Sequence, residues 1–275
     1  MILGEFSMRN NGYSSSGDVE AIKRSFRASS LATSLTDAKD VDVDGDVATT
    51  VRFFSSLGLD QAPVHRRGKI LGWVFIRDVA KSLDISTAMT PLSDSTFVSA
   101  DTNLGNVIKH LVKAGLVFTV SERGIDGFIC VSDLDRHVVR AYFSMLLIQV
   151  EMLLAHGVRK NCDEEDARRL LSTNSTVEGQ SLRDRYESAR NSNDETHAVE
   201  YLYLNQLIAL FRQYTKAKQM SVRPQVFADL NAVEANRNYI AHAVRTKSGR
   251  EGARDLHVLD ESFSRLTEAL PNYVS

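Results

Sequence analysis

Between about residue 40 and residue 137 the chain states one pattern twice, and an internal repeat of this kind restricts the fold more than any other feature here. In the first copy, 48–59 reads as a helix, Ala62-Pro63-Val64 as a strand and Arg66-Arg67-Gly68-Lys69 as a turn. A strand over 70–75 follows, and Asp78-Val79-Ala80 begins the next helix. In the second copy, Phe97-Val98 precedes a helix over 104–113, a strand over 117–120 and a turn at Glu122-Arg123-Gly124. A strand over 127–131 comes next, and Asp133-Leu134 opens a helix. Short β-branched runs bounded by glycine turns mark the strands, and helical stretches alternate with them.

Each copy ends in a matching string, Gly72-Trp73-Val74-Phe75-Ile76-Arg77-Asp78 and Gly127-Phe128-Ile129-Cys130-Val131-Ser132-Asp133. These strings, with the strand and helix order around them, strongly resemble a tandem pair of CBS domains over residues 39–137. The resemblance implies a module that senses an adenine nucleotide or a related ligand, with Asp78 and Asp133 on the ribose hydroxyls. An Asp that opens a helix also suits an N-cap. The family's threonine, which meets the phosphate, is replaced by Phe75 and Cys130, with Ser132 as a substitute hydroxyl. Its loss weighs against nucleotide binding, most of all in the first copy, and leaves a purely structural dimerisation module as the other reading.

From about 136 onward the pattern is helical. Residues 136–156 carry a wide apolar stripe (Val139, Tyr142, Phe143, Leu146, Leu147, Val150, Leu153 and Leu154), with Gly157 placed to end it. A short helix over 163–171 starts at the acidic run Asp163-Glu164-Glu165-Asp166, and 172–180 reads as a polar loop. Helices follow over 181–190 and 196–218, then one begun by Pro224, then one over 256–270. Four main helices with a polar excursion after the first make a bundle. The expected fold class is α+β: residues 39–137 hold the repeat and 138–275 an all-α bundle. Residues 1–38, rich in Ser, Asn and Gly and without periodicity, are expected to be disordered. No Pro- or Gly-rich linker separates the halves, and 133–156 reads as one continuous helix joining them.

The Pro224 helix carries the string Arg237-Asn238-Tyr239-Ile240-Ala241-His242. A histidine titrates near neutral pH and can take and give a proton. An arginine offers a permanently charged, forked donor for a phosphate oxyanion. On a helix turning ~100° per residue, Asn238 and His242 share a face, whereas Arg237 and His242 diverge by roughly 140°. Arg237 also falls inside the apolar stripe of Phe227, Leu230, Val233, Ile240, Ala241 and Val244, where a guanidinium needs a partner, a cleft or an interface. A two-fold dimer would bring two copies of these groups to one cleft. The string resembles the R-x4-6-H motif of HEPN ribonucleases, including a polar residue, Asn238, straight after the arginine. That resemblance implies a HEPN bundle with a composite site at a homodimer interface. It further implies catalytic roles for Arg237, Asn238 and His242, and metal-independent RNA cleavage to 2′,3′-cyclic phosphate and 5′-hydroxyl ends. Glu151, on the polar flank of the first helix, is expected to be solvent-exposed, with pairing to Arg237 as the alternative.

A formal charge of −2 and a pI near 6.4 exclude a global basic field of the kind a dedicated nucleic-acid binder carries. A local patch follows the string, Arg245, Lys247, Arg250 and Arg254, with Ser248 and Gly249 as a flexible loop; it reads as an RNA contact or as a solvated loop. The two cysteines, Cys130 and Cys162, have no C-x-x-C spacing, so neither a disulfide framework nor a zinc site is indicated. No H-E-x-x-H pair is present, and no metal is expected in the reaction. No run approaches the roughly 20 apolar residues of a membrane span, and the chain reads as cytoplasmic. The leading expectation is an endoribonuclease acting on RNA, with no catalytic cofactor and an adenine nucleotide as regulatory ligand. A role in defence or growth arrest follows by analogy only. The alternatives are a non-catalytic nucleotide sensor with an inert bundle, and a structural dimeriser in which Arg237 pairs with an acid.

Overall fold

The computed structural model describes residues 15–173, 177–192, 196–241 and 249–274. The described residues fall into two units, one drawn from the ranges 23–142 and 249–258, the other from 15–22, 143–241 and 259–274. The boundary expected at 137/138 therefore moves, and the first unit takes a second piece from near the C-terminus. Periodicity along a chain has no means of showing such a return.

The first unit is built on two four-stranded sheets of matching design. After helix α1 (Ser15–Ser25) come strands β1 (Thr33–Ser34) and β2 (Val41–Asp42), helix α2 (Val47–Ser56), and strands β3 (Gln61–Arg66) and β4 (Lys69–Phe75). Short helices α3 (Ile76–Val79) and α4 (Ile85–Ala88) lead to β5 (Thr90–Pro91). The second copy runs β6 (Thr96–Ser99), α5 (Leu104–Ala114), β7 (Leu116–Ser121) and β8 (Gly124–Cys130). The sheet orders are β2-β3-β4-β5 and β1-β8-β7-β6. In both, a parallel edge strand joins an antiparallel hairpin whose register slips once, between Val64 and His65 or between Thr119 and Val120. Asp46 caps α2 by accepting the Thr49 N–H at 2.7 Å, and Asn103 caps α5 by accepting that of Asn106 at 2.9 Å. Val41, Phe54, Val64, Val74, Val79 and Ile85 form one core, and Trp73, Leu116, Phe118 and Phe128 another.

The fourth strand of each sheet has a different origin. In the first sheet β5 follows its partner β4 in the chain, whereas in the second β1 precedes everything it completes: Thr33 pairs with Phe128 and Ser34 with Gly127. Disorder through residue 38 is thus overturned from Ser15 onward. The polar sequence conceals a few apolar anchors, of which Val19, Ala28 and Leu31 are buried. Residues 1–14 lie outside the described residues. The expected continuous helix over 133–156 is also corrected. Val131–Asp135 is a 3-10 segment, Arg136 is extended at ψ 152°, and α6 (His137–Asn161) begins only after it.

The second unit is helical. With most of α6 it contains α7 (Glu164–Thr173), α8 (Val177–Asn191), a 3-10 turn at Ala198–Tyr201, α9 (Leu204–Ala217) and α10 (Pro224–Ala241). The later part of α11 (Gly249–Ala269) and α12 (Pro271–Val274) complete it. Gly157 does not end α6; the helix runs four residues further, to Asn161. A Cβ there would sit 2.3 Å from Val274 Cγ1 and 3.0 Å from Tyr214 Oη, so the glycine serves a close approach rather than a cap. The polar loop expected over 172–180 is partly helical, since α8 starts at Val177. The helix expected over 196–218 starts only at Leu204, where Gln206 accepts the Tyr203 N–H. The acidic run opens α7, with Glu164, Glu165 and Asp166 in its first turn, where negative charge favours a helix N-terminus. Gly249, expected in a loop, opens α11. Asp229, almost fully buried, accepts from Ser262 at 3.0 Å and takes both arms of Arg265 at 2.8 and 3.0 Å, tying α10 to α11.

Helix α6 departs from the expectation that no run approaches a membrane span. It is long and apolar enough to cross a membrane by length and composition, and half of its most apolar window is buried inside the protein. Tyr142, Phe143, Leu146, Val150, Leu154 and Val158 are all buried, as expected of a core helix.

Candidate functional site

The repeated strings stand at the same place in the two sheets, and the structure gives them different fates. Each begins at a glycine on the inner hairpin strand where the fourth strand crosses it. A Cβ on Gly72 would fall 2.1 Å from the Thr90 carbonyl oxygen; on Gly127 it would fall 2.7 Å from that of Thr33 and 2.8 Å from Thr119 Oγ1. Each string ends at an Asp in the first turn after the strand.

In the first copy the Asp is open. Asp78 lines a cleft of about 410 Å³ together with Trp73, Phe75, Thr90, Thr96, Lys113 and Arg250, among others. Its side chain is 47% exposed, and its ion-pair neighbour, Arg77 at 3.7 Å, is itself largely in solvent. Trp73 and Phe75 meet edge to face with ring centres 4.7 Å apart, and the guanidinium of Arg77 lies 4.4 Å from the centre of the Phe75 ring. Two carboxylates (Asp78 and Asp94), three hydroxyl side chains (Thr90, Ser95 and Thr96), an aromatic ring and two cations are groups that can hold a polar ligand with a flat ring.

In the second copy the corresponding groups bond to one another. Asp133 Oδ2 accepts the Cys130 N–H at 2.8 Å and lies 3.1 Å from the Cys130 thiol, and that thiol is 3.0 Å from Ser132 Oγ. Only 15% of the Asp133 side chain is exposed, with Arg136 at 3.8 Å. Burial pushes the Asp133 carboxyl above the usual range, against the pull of the Cys130 hydrogen bonds. Burial, with the neighbouring Asp133, pushes the Cys130 thiol up to about 12. Of the three residues expected to hold a nucleotide, Asp78 thus faces a cleft, whereas Asp133 and Ser132 sit in a closed local network. The copy in which the missing hydroxyl weighs most against binding is the one that carries the cleft. Sequence reasoning missed Lys113, Thr90 and Thr96 as its lining, and it assigned Arg250 to a different patch.

In the helical unit, Arg237 is 38% exposed on α10, beside the buried Leu230, Val233, Tyr239 and Ile240. Its Nε stands 3.9 Å from Glu151 Oε1, and its guanidinium carbon lies 5.3 Å from the Tyr203 ring centre. Glu151 is therefore not the exposed residue expected: burial raises its pKa, and Arg237 partly offsets that rise. An ion pair at this separation, joined by a cation–π contact, answers the need of a guanidinium on an apolar stripe for a partner. The side chain of Asn238 and residue His242 lie outside the described residues, as do Arg245, Lys247 and Ser248 of the basic patch. Arg250 and Arg254 stand on α11.

No family model and no curated protein matches the chain. Among solved structures it is similar to a hemolysin-like protein containing a CBS domain from Oenococcus oeni PSU. The identity is 19%, with 43% of this chain and 93% of that chain covered, at a TM-score of 0.37. It is also similar to the CBS domain of a putative transporter from Clostridium difficile 630, with 18% identity, 43% and 97% covered, and a TM-score of 0.36. A third is CBSX2 in complex with AMP, with 17% identity, 44% and 98% covered, and a TM-score of 0.36.

Proposed function

We propose that this protein is a ligand-responsive regulator whose first unit is a CBS-type pair binding an adenine nucleotide in the Asp78 cleft. The observation that carries this reading is the half-exposed Asp78 carboxylate on the wall of a cleft of about 410 Å³, beside the Trp73 and Phe75 rings. The volume is within the range usual for small-molecule sites. An ionised carboxylate accepts hydrogen bonds from a vicinal diol, and the partly exposed Phe75 ring, backed by the buried Trp73, offers apolar contact to a purine. Titration calorimetry of the full chain with adenosine, AMP, ADP and ATP tests it. At least one should bind, and Asp78→Asn should weaken it about tenfold or more, given roughly 1.5–3 kcal/mol for a hydrogen bond to a charged group. Binding of none of the four overturns the reading.

A second reading concerns what the regulator controls, and the placement of Arg237 favours it. The helical unit is proposed to be a HEPN-type endoribonuclease that works as a homodimer on RNA. Its guanidinium is held by Glu151 and Tyr203 yet remains more than a third exposed, so it keeps donors for a phosphate. In this reading His242 removes the proton of a ribose 2′-hydroxyl, whose oxygen attacks the adjacent phosphorus. The bond to the 5′-oxygen breaks, that oxygen takes up the proton held by the His242 imidazolium, and a 2′,3′-cyclic phosphate and a 5′-hydroxyl result. Arg237 neutralises charge on the phosphorane oxygens, and Asn238 orients the histidine or the phosphate. His242→Ala should lower cleavage of a mixed RNA pool by about two to four orders of magnitude with the dimer intact, and Arg237→Ala should do likewise. Cleavage retained in both variants, or absent in the wild-type chain, sinks this reading and leaves the first standing.

A further inference from the structure

The lining of the Asp78 cleft includes one residue from outside the repeat, Arg250, in the first turn of α11. Its Nη2 donates to the Ala114 carbonyl oxygen at 3.1 Å, just where α5 ends. Gly115 ends that helix at φ +84°, and a Cβ there would fall 3.0 Å from Arg250 Nη2 and 3.2 Å from its Nε. The glycine thus makes the turn and leaves the guanidinium its place. The guanidinium carbon is 5.9 Å from the centre of the Phe75 ring, and Lys113 contributes a second cation to the same lining. Phe75 occupies the position where the matching family string has a hydroxyl, so the first copy has an aromatic ring there and, beside it, a cation. Among the described residues, the bond to Ala114 is the one hydrogen bond Arg250 makes. A guanidinium has five N–H donors in a planar fork suited to a phosphate, so most of them stay available.

We propose that Arg250 is the anion-recognising residue of this cleft, and that it makes the site select phosphorylated ligands over their neutral counterparts. The proposal rests on the reading of the cleft as a nucleotide site and names the residue that sets its specificity. The charge supplied by Arg250 takes over what the missing hydroxyl would have done, and Asp78 is left to meet the hydroxyl groups at the other end of the ligand.

The test uses the full chain, titrated calorimetrically with AMP, adenosine and inorganic pyrophosphate, as wild type, Arg250→Gln and Arg250→Lys. The substituted side chain is exposed, so the thermal midpoint should stay within a degree or two of wild type, flagging any misfolded variant. Arg250→Gln should weaken AMP about ten- to a hundredfold and leave adenosine unchanged. Arg250→Lys should recover part of the loss, because an ammonium keeps the charge without the fork. Unchanged AMP affinity in Arg250→Gln, or an equal loss for AMP and adenosine, overturns the proposal. If the wild-type chain binds neither AMP nor adenosine, pyrophosphate decides the role of Arg250, and the nucleotide reading falls separately, when ADP and ATP also fail to bind. Pyrophosphate binding that Arg250→Gln removes upholds it; pyrophosphate binding that ignores the substitution, or none at all, ends it.

Discussion

The two copies of the repeat share strand order, hairpin slip, crossing glycine and terminal aspartate, yet one aspartate looks into a cleft and the other into its own backbone. The strings differ at five positions, and Phe75 against Cys130 is the one that touches the aspartate's surroundings in both copies. Where the second copy has Cys130, a small thiol leaves room for Asp133 to fold back and accept two hydrogen bonds. Where the first has Phe75, the ring stands against Trp73 and within 6 Å of the guanidiniums of Arg77 and Arg250, and the carboxylate of Asp78 stays outside. The same motif serves as a binding surface in one place and as a local cap in the other.

The largest test of this comparison is at the glycines. Gly72→Ala would drive a methyl group into a carbonyl oxygen 2.1 Å away, so β5 must move. Overpacking costs ~1–3 kcal/mol or more, and the upper end is expected here. Gly127→Ala, at 2.7 Å, should cost less. Chemical denaturation of both variants measures the difference, and equal losses would break the parallel. Next come the aspartates. Asp133→Ala should cost ~2–3 kcal/mol, because it strands the buried Cys130 N–H, and should leave ligand affinity alone. Asp78→Ala should change stability by under ~0.5 kcal/mol, as a half-exposed side chain with no buried partner does, and should abolish binding. A swap of these outcomes would refute the assignment of roles.

The smallest effect is in pH. The Asp133 carboxyl is raised above its ordinary 3.8 by burial, so the folded form holds the proton more tightly than the unfolded one. Its contribution to stability is then fully present below the ordinary value and is lost as pH rises through the raised one. Wild type should accordingly gain stability relative to Asp133→Asn on acidification from neutrality toward pH ~4. A flat difference across that window would show that the carboxylate is not desolvated.

Much of the first unit was legible because its signals are local: β-branched runs, glycine turns, and caps at Asp46 and Asn103. What escaped depends on partners far away in the chain. Gly157 reads as a helix stop until Val274 and Tyr214 are seen against it. Ser15–Ser25 reads as disorder because its burial rests on so few apolar residues as Val19. Arg250 reads as part of a basic cluster, but the cleft it lines also draws on β4 and α5, far from it in the chain. Glu151 reads as an exposed glutamate sooner than as the partner of Arg237, since no pattern of spacing reports that burial raises a carboxyl.

The strand Thr33–Ser34 has a consequence for synthesis. It leaves the ribosome before nearly all of the sheet it joins, and its partner Phe128 arrives only when the whole duplicated region has been made. The first sheet is complete once Pro91 has emerged, whereas the second must wait with one end of its hairpin uncovered. Such a bare edge invites pairing with another chain. A shortened form lacking its first 34 residues, made on the view that this stretch is dispensable, would keep that edge permanently, and we expect it to self-associate.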